Sequence, residues 1–364
     1  MPQNYKVEYQ SGGSYIALTG VQSINLSWGR QKITDTFPPN GGTILVKSPN
    51  YFASPIAALV PGTRIRITNV TSAQEITTMF LSNVEVEYGI PYVSSQGQAD
   101  FITLFVEGGF ARIGRMQGEG YAMAAGSMAS QLSNAATQSN TVIGTSISAS
   151  SEQNLAANTV SGSWGDWVNT FLVSTGARLT DYVGNPVING KYDVGTGLNF
   201  SDTTNDSSNK KYSSLNFGSL VDNYYTQVIV DPNDFAPSTV QTGSKPYRTL
   251  QFNTINGTSA QATDLANFYL GLLSSTKVQP VSVSMLAEAQ AVQNLDFNFF
   301  GRTSNRSTLT FRGTTQTVMV IGGTMSVTPE SMTMTCYLSG FENQNYLILN
   351  NAVFGTLNNN RLGF

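Results

Sequence analysis

The sequence predicts a mainly β protein with a mixed α/β insertion, and three observations predict it. Short alternating runs of apolar and polar residues, broken by Gly, Pro and Asn clusters, fill the chain to about residue 112. The same pattern returns from about residue 295. Between them the composition shifts after Arg115 towards Ala, Ser, Asn, Thr and Gly, and apolar residues recur at helical spacing. At roughly 150 residues per domain, 364 residues suit two or three cores. The expected division is an N-terminal β domain over 1–115, a helical linker plus mixed α/β middle domain over 116–294, and a C-terminal β domain over 295–364.

The first block reads as six to eight strands. Val21 to Trp28 puts Ile24, Leu26 and Trp28 on one face. Pro38-Pro39-Asn40-Gly41-Gly42 breaks any ladder and is followed by Thr43 to Lys47. After the Pro61-Gly62 turn, Arg64-Ile65-Arg66-Ile67-Thr68 points its isoleucines inward and its arginines outward. Met79-Phe80-Leu81, Val84 to Tyr88 and Phe101 to Val106 complete the block.

In the insertion, Ala125, Met128, Ala129 and Leu132 predict a helix over about 120–136, with a loop from Ala136 to Ser151. Ser163 and Asp166 form a capping box before a stripe of Trp164, Trp167, Val168, Phe171 and Leu172, and Gly176 is the stop. The two tryptophans read as core. Tyr224 to Val230 is a strand ending at Pro232, preceded by a polar loop from Ser201 to Lys211. A third helix has Ser259 as its cap and Ala262, Leu265, Ala266, Tyr269, Leu270 and Leu273 as its apolar face. The last block offers Leu309 to Arg312, Thr317 to Ile321, the run around Cys336, and Tyr346 to Leu349 as strands.

The chemistry available is narrow. Histidine is absent, which removes the commonest general base and metal ligand together with every Ser-His or Cys-His dyad. The single cysteine, Cys336, sits in an alternating strand and reads as a buried hydrophobe, and no internal disulfide is possible. Glu85 and Glu87 share a strand face, but a solvated face is the default over a cation site. Asp202 and Asp206 lack the Gly and terminal Glu of a calcium loop, and Gly195-Thr196-Gly197 lacks the rest of a dinucleotide fingerprint. Asn-x-Ser/Thr triplets at Asn25, Asn69, Asn205, Asn256 and Asn305 arise by chance in so polar a chain. The expectation is therefore no catalytic, cofactor-binding or metal-binding residue, and no enzyme.

A net charge of −3 leaves no basic patch for sequence-specific nucleic-acid binding. Met1 to Lys6 has no apolar core of a signal peptide, and no run of about 20 apolar residues would span a membrane as a helix. Only 11% of residues are charged, against about 25% in average domains, which suits a surface occupied by fixed neighbours.

Three stretches carry a resemblance: Trp28-Gly29-Arg30-Gln31-Lys32-Ile33-Thr34-Asp35-Thr36-Phe37, Gly42 to Lys47, and Leu59-Val60-Pro61-Gly62-Thr63-Arg64-Ile65-Arg66-Ile67. They resemble the opening of hub-type minor tail proteins of siphophages. Where that family turns a Phe-x-Gly corner, this chain has Phe80-Leu81-Ser82. Ala262 to Pro280, Val327 to Met334 and the close from Tyr346 to Phe364 are similar to later parts of the family; Asn350 stands where it commonly has Asp. The resemblance implies a fold like the trimeric baseplate hub of contractile-tailed phages, with two β-barrel-like domains per subunit flanking a middle domain. It further implies a homotrimeric ring at the distal end of a virion tail, assembled in the host cytoplasm. The implied partners are a distal tail or tail tube protein, the tape-measure protein, and tail fibre or receptor-binding proteins. A receptor- or carbohydrate-binding tail-tip protein is the alternative, favoured if Trp164 or Tyr224-Tyr225 form an exposed aromatic platform.

Overall fold

The computed structural model describes residues 5–70, 73–89, 99–181, 183–193, 198–204, 209–218, 224–274, 279–288 and 300–340. In the first block the alternation becomes seven strands: β1 (Tyr5–Ser11), β2 (Ser14–Ala17), β3 (Val21–Gly29), β4 (Gly41–Ser48), β5 (Arg64–Asn69), β6 (Glu75–Glu87) and β7 (Asp100–Glu107). Ile24, Leu26 and Trp28 are buried while Asn25 and Ser27 are exposed, as a period of two requires. The runs expected at 79–81 and 84–88 are one strand, β6, whose register shifts between Leu81 and Asn83. That bulge is the Phe80-Leu81-Ser82 corner. It needs no positive φ, so serine serves, and its Oγ donates to the Phe105 carbonyl at 3.1 Å.

The insertion begins with α1 (Gly109–Gly114), β8 (Ala122–Met123), β9 (Gly126–Ser127), α2 (Met128–Gln138), β10 (Gly144–Ser146), β11 (Asn154–Leu155), β12 (Asn158–Thr159), α3 (Trp164–Thr175), β13 (Arg178–Asp181) and β14 (Pro186–Asn189). The helix expected from 120 starts only at Met128. Ser127 caps it by accepting from Ser130 N at 3.2 Å, and residues 122–127 pair with β11 and β12 instead. The capping box of Ser163 and Asp166 forms as expected, and Gly176 ends α3 at φ 67°.

Next come β15 (Asn199–Ser201), β16 (Asn209–Lys211), β17 (Ser214–Gly218), β18 (Gln227–Pro232), β19 (Ser238–Gln241), β20 (Thr249–Thr254) and α4 (Ser259–Leu273). Lys210 and Lys211, expected in the polar loop, belong to a strand. The strand expected from Tyr224 begins at Gln227, and Thr258 rather than Ser259 caps α4. β18 lies between antiparallel β19 and parallel β20, and α4 shares a core with Val228 and Val230. The last block holds β21 (Gln279–Glu288), β22 (Ser304–Phe311), β23 (Thr314–Val327) and β24 (Ser331–Gly340). Tyr346 to Leu349 and the closing segment to Phe364 lie outside the described residues.

One sheet of 14 strands joins the two β blocks. Its N-terminal half runs β3-β4-β7-β6-β5-β1-β2. β3 then pairs antiparallel with β23, from Gly29 opposite Gly322 to Ile24 opposite Val327. In the C-terminal half, β23 has β22, β15 and β16 on one side and β24, β21 and β17 on the other. β15 and β21, counted by sequence with the middle block, therefore hydrogen-bond with strands beyond residue 295, and β16 and β17 join the sheet through them. Only Tyr212 and Ser213 separate β16 from β17, and they extend both ladders: Tyr212 N donates to Ser201 O at 3.2 Å and Ser213 N to Ser284 O at 2.8 Å. The C-terminal half thus returns on itself through the bent stretch 209–218. A single apolar cluster runs through both halves, from Val7, Ile44 and Leu104 to Met285, Val320 and Met334.

Candidate functional site

The residues singled out for chemistry do not converge. Glu85 and Glu87 are exposed on β6. Asp202 is used locally, accepting from Arg312 N at 2.5 Å, while Asp206 and Gly195 to Gly197 lie outside the described residues. Cys336 is fully buried, and burial pushes its thiol up, which keeps it protonated and inert. Among the described residues no group of three or more acidic or sulfur ligands gathers that could hold a metal ion, and no helix is long and apolar enough to cross a membrane. Trp164 and Trp167 are only 2% and 3% exposed and pack against each other at 6.1 Å. Trp167 also donates Nε1 to Asn158 Oδ1 at 2.9 Å. They form core, not a platform. Tyr225 is half-buried, with the Arg248 guanidinium 5.4 Å over its ring.

What the fold does concentrate is a junction where the two sheet halves and the insertion meet. Its floor is the β3–β23 pairing, where backbones approach too closely for side chains. A Cβ on Gly29 would stand 2.4 Å from Ile321 O, one on Gly322 would stand 2.6 Å from Trp28 O, and one on Gly323 would stand 2.4 Å from the Trp28 ring. Trp28 fills the space beside them, its ring 4.9 Å from Phe300 and its Nε1 donating to Arg302 O at 3.1 Å.

Around this floor stand charged side chains that are almost wholly buried. Arg30, just after β3, lies 4.3 Å over the Phe37 ring and donates Nη1 to Asp35 O at 3.2 Å. Burial lowers its pKa, opposed by Tyr269 and Asp35. Arg178 on β13 donates to Thr303 O at 3.2 Å and to Asp193 O, so one guanidinium ties the insertion to the C-terminal half. Burial brings it down to about 10, with Asp193 opposing and Arg30 adding to the fall. Neither guanidinium finds an acceptor for its Nε.

Asp181, at the end of β13, accepts from Gly109 N and Phe110 N at 3.1 and 2.9 Å, while its carbonyl accepts from Asn40 Nδ2. Burial pushes its carboxyl up to about 6 despite those two N–H donors. Lys191, 2% exposed, pairs with Asp264 of α4 at 2.5 Å. Arg178 thus ties the insertion to the C-terminal half and Asp181, through Asn40, ties it to the N-terminal half, while the Lys191–Asp264 pair anchors α4 within the insertion.

No nucleophile, base and oxyanion donor come together here. What the arrangement can do is hold geometry. Of its charged members only Arg30 lay in a stretch singled out by sequence, within the Gly-Arg-Gln resemblance. Arg178, Asp181 and Lys191 are isolated charges, which give no periodic signal in the sequence.

This architecture can be set beside known proteins. No family model matches the chain, and no curated protein matches it in sequence. Solved structures do match in fold. A tail protein of Neisseria meningitidis superposes with a TM-score of 0.62 at 11% identity, covering 92% of this chain and 96% of its own. The 43 kDa tail protein of prophage MuSo2 from Shewanella oneidensis gives 0.60 at 10% identity, covering 91% and 98%. A type VI secretion component of Escherichia coli, which itself resembles bacteriophage tail proteins, gives 0.56 at 9% identity, covering 93% and 77%. The chain therefore has the fold of phage tail proteins.

Proposed function

We propose that the chain is a non-enzymatic structural protein of a phage tail, a hub that forms a homotrimeric ring at the distal end of the tail. The observation that carries this reading is the pairing of β3 with β23, which sets two halves of seven strands side by side in one chain. Three such chains offer six β units, the number needed to continue a sixfold tube with a threefold ring. The buried ties at Arg178 and Asp181 support it, because a load-transmitting ring needs its domains in a fixed relation. On this reading the β domains of 1–115 and 295–364 form the ring, with 199–218 and 279–288 lending strands to the second, and the middle domain of 116–294 stands between them. The partners are a distal tail or tail tube protein, the tape-measure protein and tail fibre or receptor-binding proteins. The carbohydrate- or receptor-binding alternative depended on an exposed aromatic platform at Trp164 or Tyr224-Tyr225; Trp164 is buried and the two tyrosines are half-buried, which weakens that support.

Cryo-EM of the particle that contains the chain tests the proposal. Density for three copies around the tube's end, with six β units per ring, is expected. Density on projecting fibres alone would sink it.

A further inference from the structure

The two ends of the large sheet are finished differently. At one end of the strand path, β16 runs on through Tyr212 and Ser213 into β17, which pairs with β21, so that margin is turned back onto its own half. At the other end lies β2, Ser14-Tyr15-Ile16-Ala17, with no charge and no proline.

The β1–β2 hairpin also overhangs. β1 pairs with β5 only from Tyr5 to Tyr9, whereas its pairing with β2 runs on to Ser11. The turn at Gly12 and Gly13, with φ 55° and 87°, stands clear of the molecule: a Cβ at either would meet nothing within 4 Å. A two-stranded ribbon is marginal by itself in water. Ile16 is opposite Tyr9, yet Tyr9 is 8% exposed and Ile16 44%, so the apolar face of the sheet is left open at this margin.

The register says which backbone groups have no partner among the described residues. Leu18 N donates to Val7 O, so Leu18, Ile16 and Ser14 direct their main-chain groups at β1. By the alternation of an antiparallel ladder, Tyr15 and Ala17 direct theirs outward.

We propose that the β1–β2 hairpin is an assembly arm whose free β2 edge adds to a strand of a second copy of this chain. The occupant of such an edge is an extended backbone, since only that matches outward N–H and C=O groups every second residue. A head-to-tail ring needs two different complementary patches on each copy. The chain carries a second uncharged, proline-free edge strand in β19, Ser238-Thr239-Val240-Gln241. The inference rests on the ring reading above and adds the strand that closes it.

The test compares wild type with Ala17→Pro, which deletes one outward N–H and leaves every bond to β1, and with Ala17→Val, which keeps it. Native mass spectrometry across a concentration series reads the oligomer, and circular dichroism confirms that each variant folds. The expected result is that Ala17→Pro raises the assembly midpoint about tenfold or more while Ala17→Val assembles as wild type does. Should Ala17→Pro fail to fold, Ile16→Lys makes the same test by placing a charge at the edge. Identical oligomer distributions for wild type and the folded edge variant, monomers included, overturn the arm. The ring reading fails separately, if the particle's density places the chain elsewhere.

Discussion

The two halves of the sheet contribute equal numbers of strands and end in opposite ways. The C-terminal half returns on itself through residues 209–218, which finish the β15 ladder and begin the β21 ladder across a two-residue bend. Among the described residues the N-terminal half runs out at β2 with an edge unpaired. Strand number therefore does not decide closure. What decides it is whether a bent strand is available to satisfy both open edges at once, since unpaired edge groups invite pairing with another chain.

That contrast can be broken most severely where the halves share a wall. Trp28 fills the seam against Phe300 and the glycines of β23, so Trp28→Ala is expected to cost ~3–5 kcal/mol. Because one apolar cluster spans both halves, urea unfolding should remain a single transition at a lower midpoint. Two transitions would show that the halves unfold independently. A smaller effect is expected at the closing bend. Ser213→Pro deletes the N–H that reaches Ser284 O at 2.8 Å, a loss of about 1–3 kcal/mol, read from the same urea midpoint. Placed beside Ala17→Pro, which removes an N–H with no partner among the described residues, it sharpens the comparison. Proline should destabilise the closed half and leave the stability of the open one nearly untouched.

The sequence shows the local part of this architecture. Alternation around Ile24, Ile65 and Met334 marks strands because one face of each is buried, and Ser163 with Asp166 marks a helix start through side-chain bonds made within one turn. What it does not show is partnership at a distance. β15 and β21 are short or weakly patterned, and nothing local says that they pair with residues beyond 295. The fold class was therefore legible while the membership of the two halves was not. The junction was the least legible part. Its two N–H donors to Asp181 come from residues more than seventy positions away, and Arg178 reaches a carbonyl 125 positions on.

The mildest perturbation examines that junction by pH. Burial pushes the Asp181 carboxyl up to about 6 from an ordinary value of 3.8, so the folded chain binds this proton more tightly than the unfolded chain does. Its contribution to stability is therefore fully present below about pH 4 and is lost as the pH rises through 6. Between pH 7 and pH 5 the folded carboxyl gains most of a proton while the unfolded one stays ionised, which is worth about 1 kcal/mol in favour of the acid condition. Asp181→Asn keeps one acceptor for the α1 amides but cannot titrate. The stability of wild type minus that of Asp181→Asn, taken from urea midpoints, should thus rise by about 1 kcal/mol from pH 7 to pH 5. A difference that stays flat would mean that water reaches Asp181 and that the junction is looser than its packing implies. A rise confined to this residue would mean that the insertion is held against the open half by a carboxylate kept dry at neutral pH.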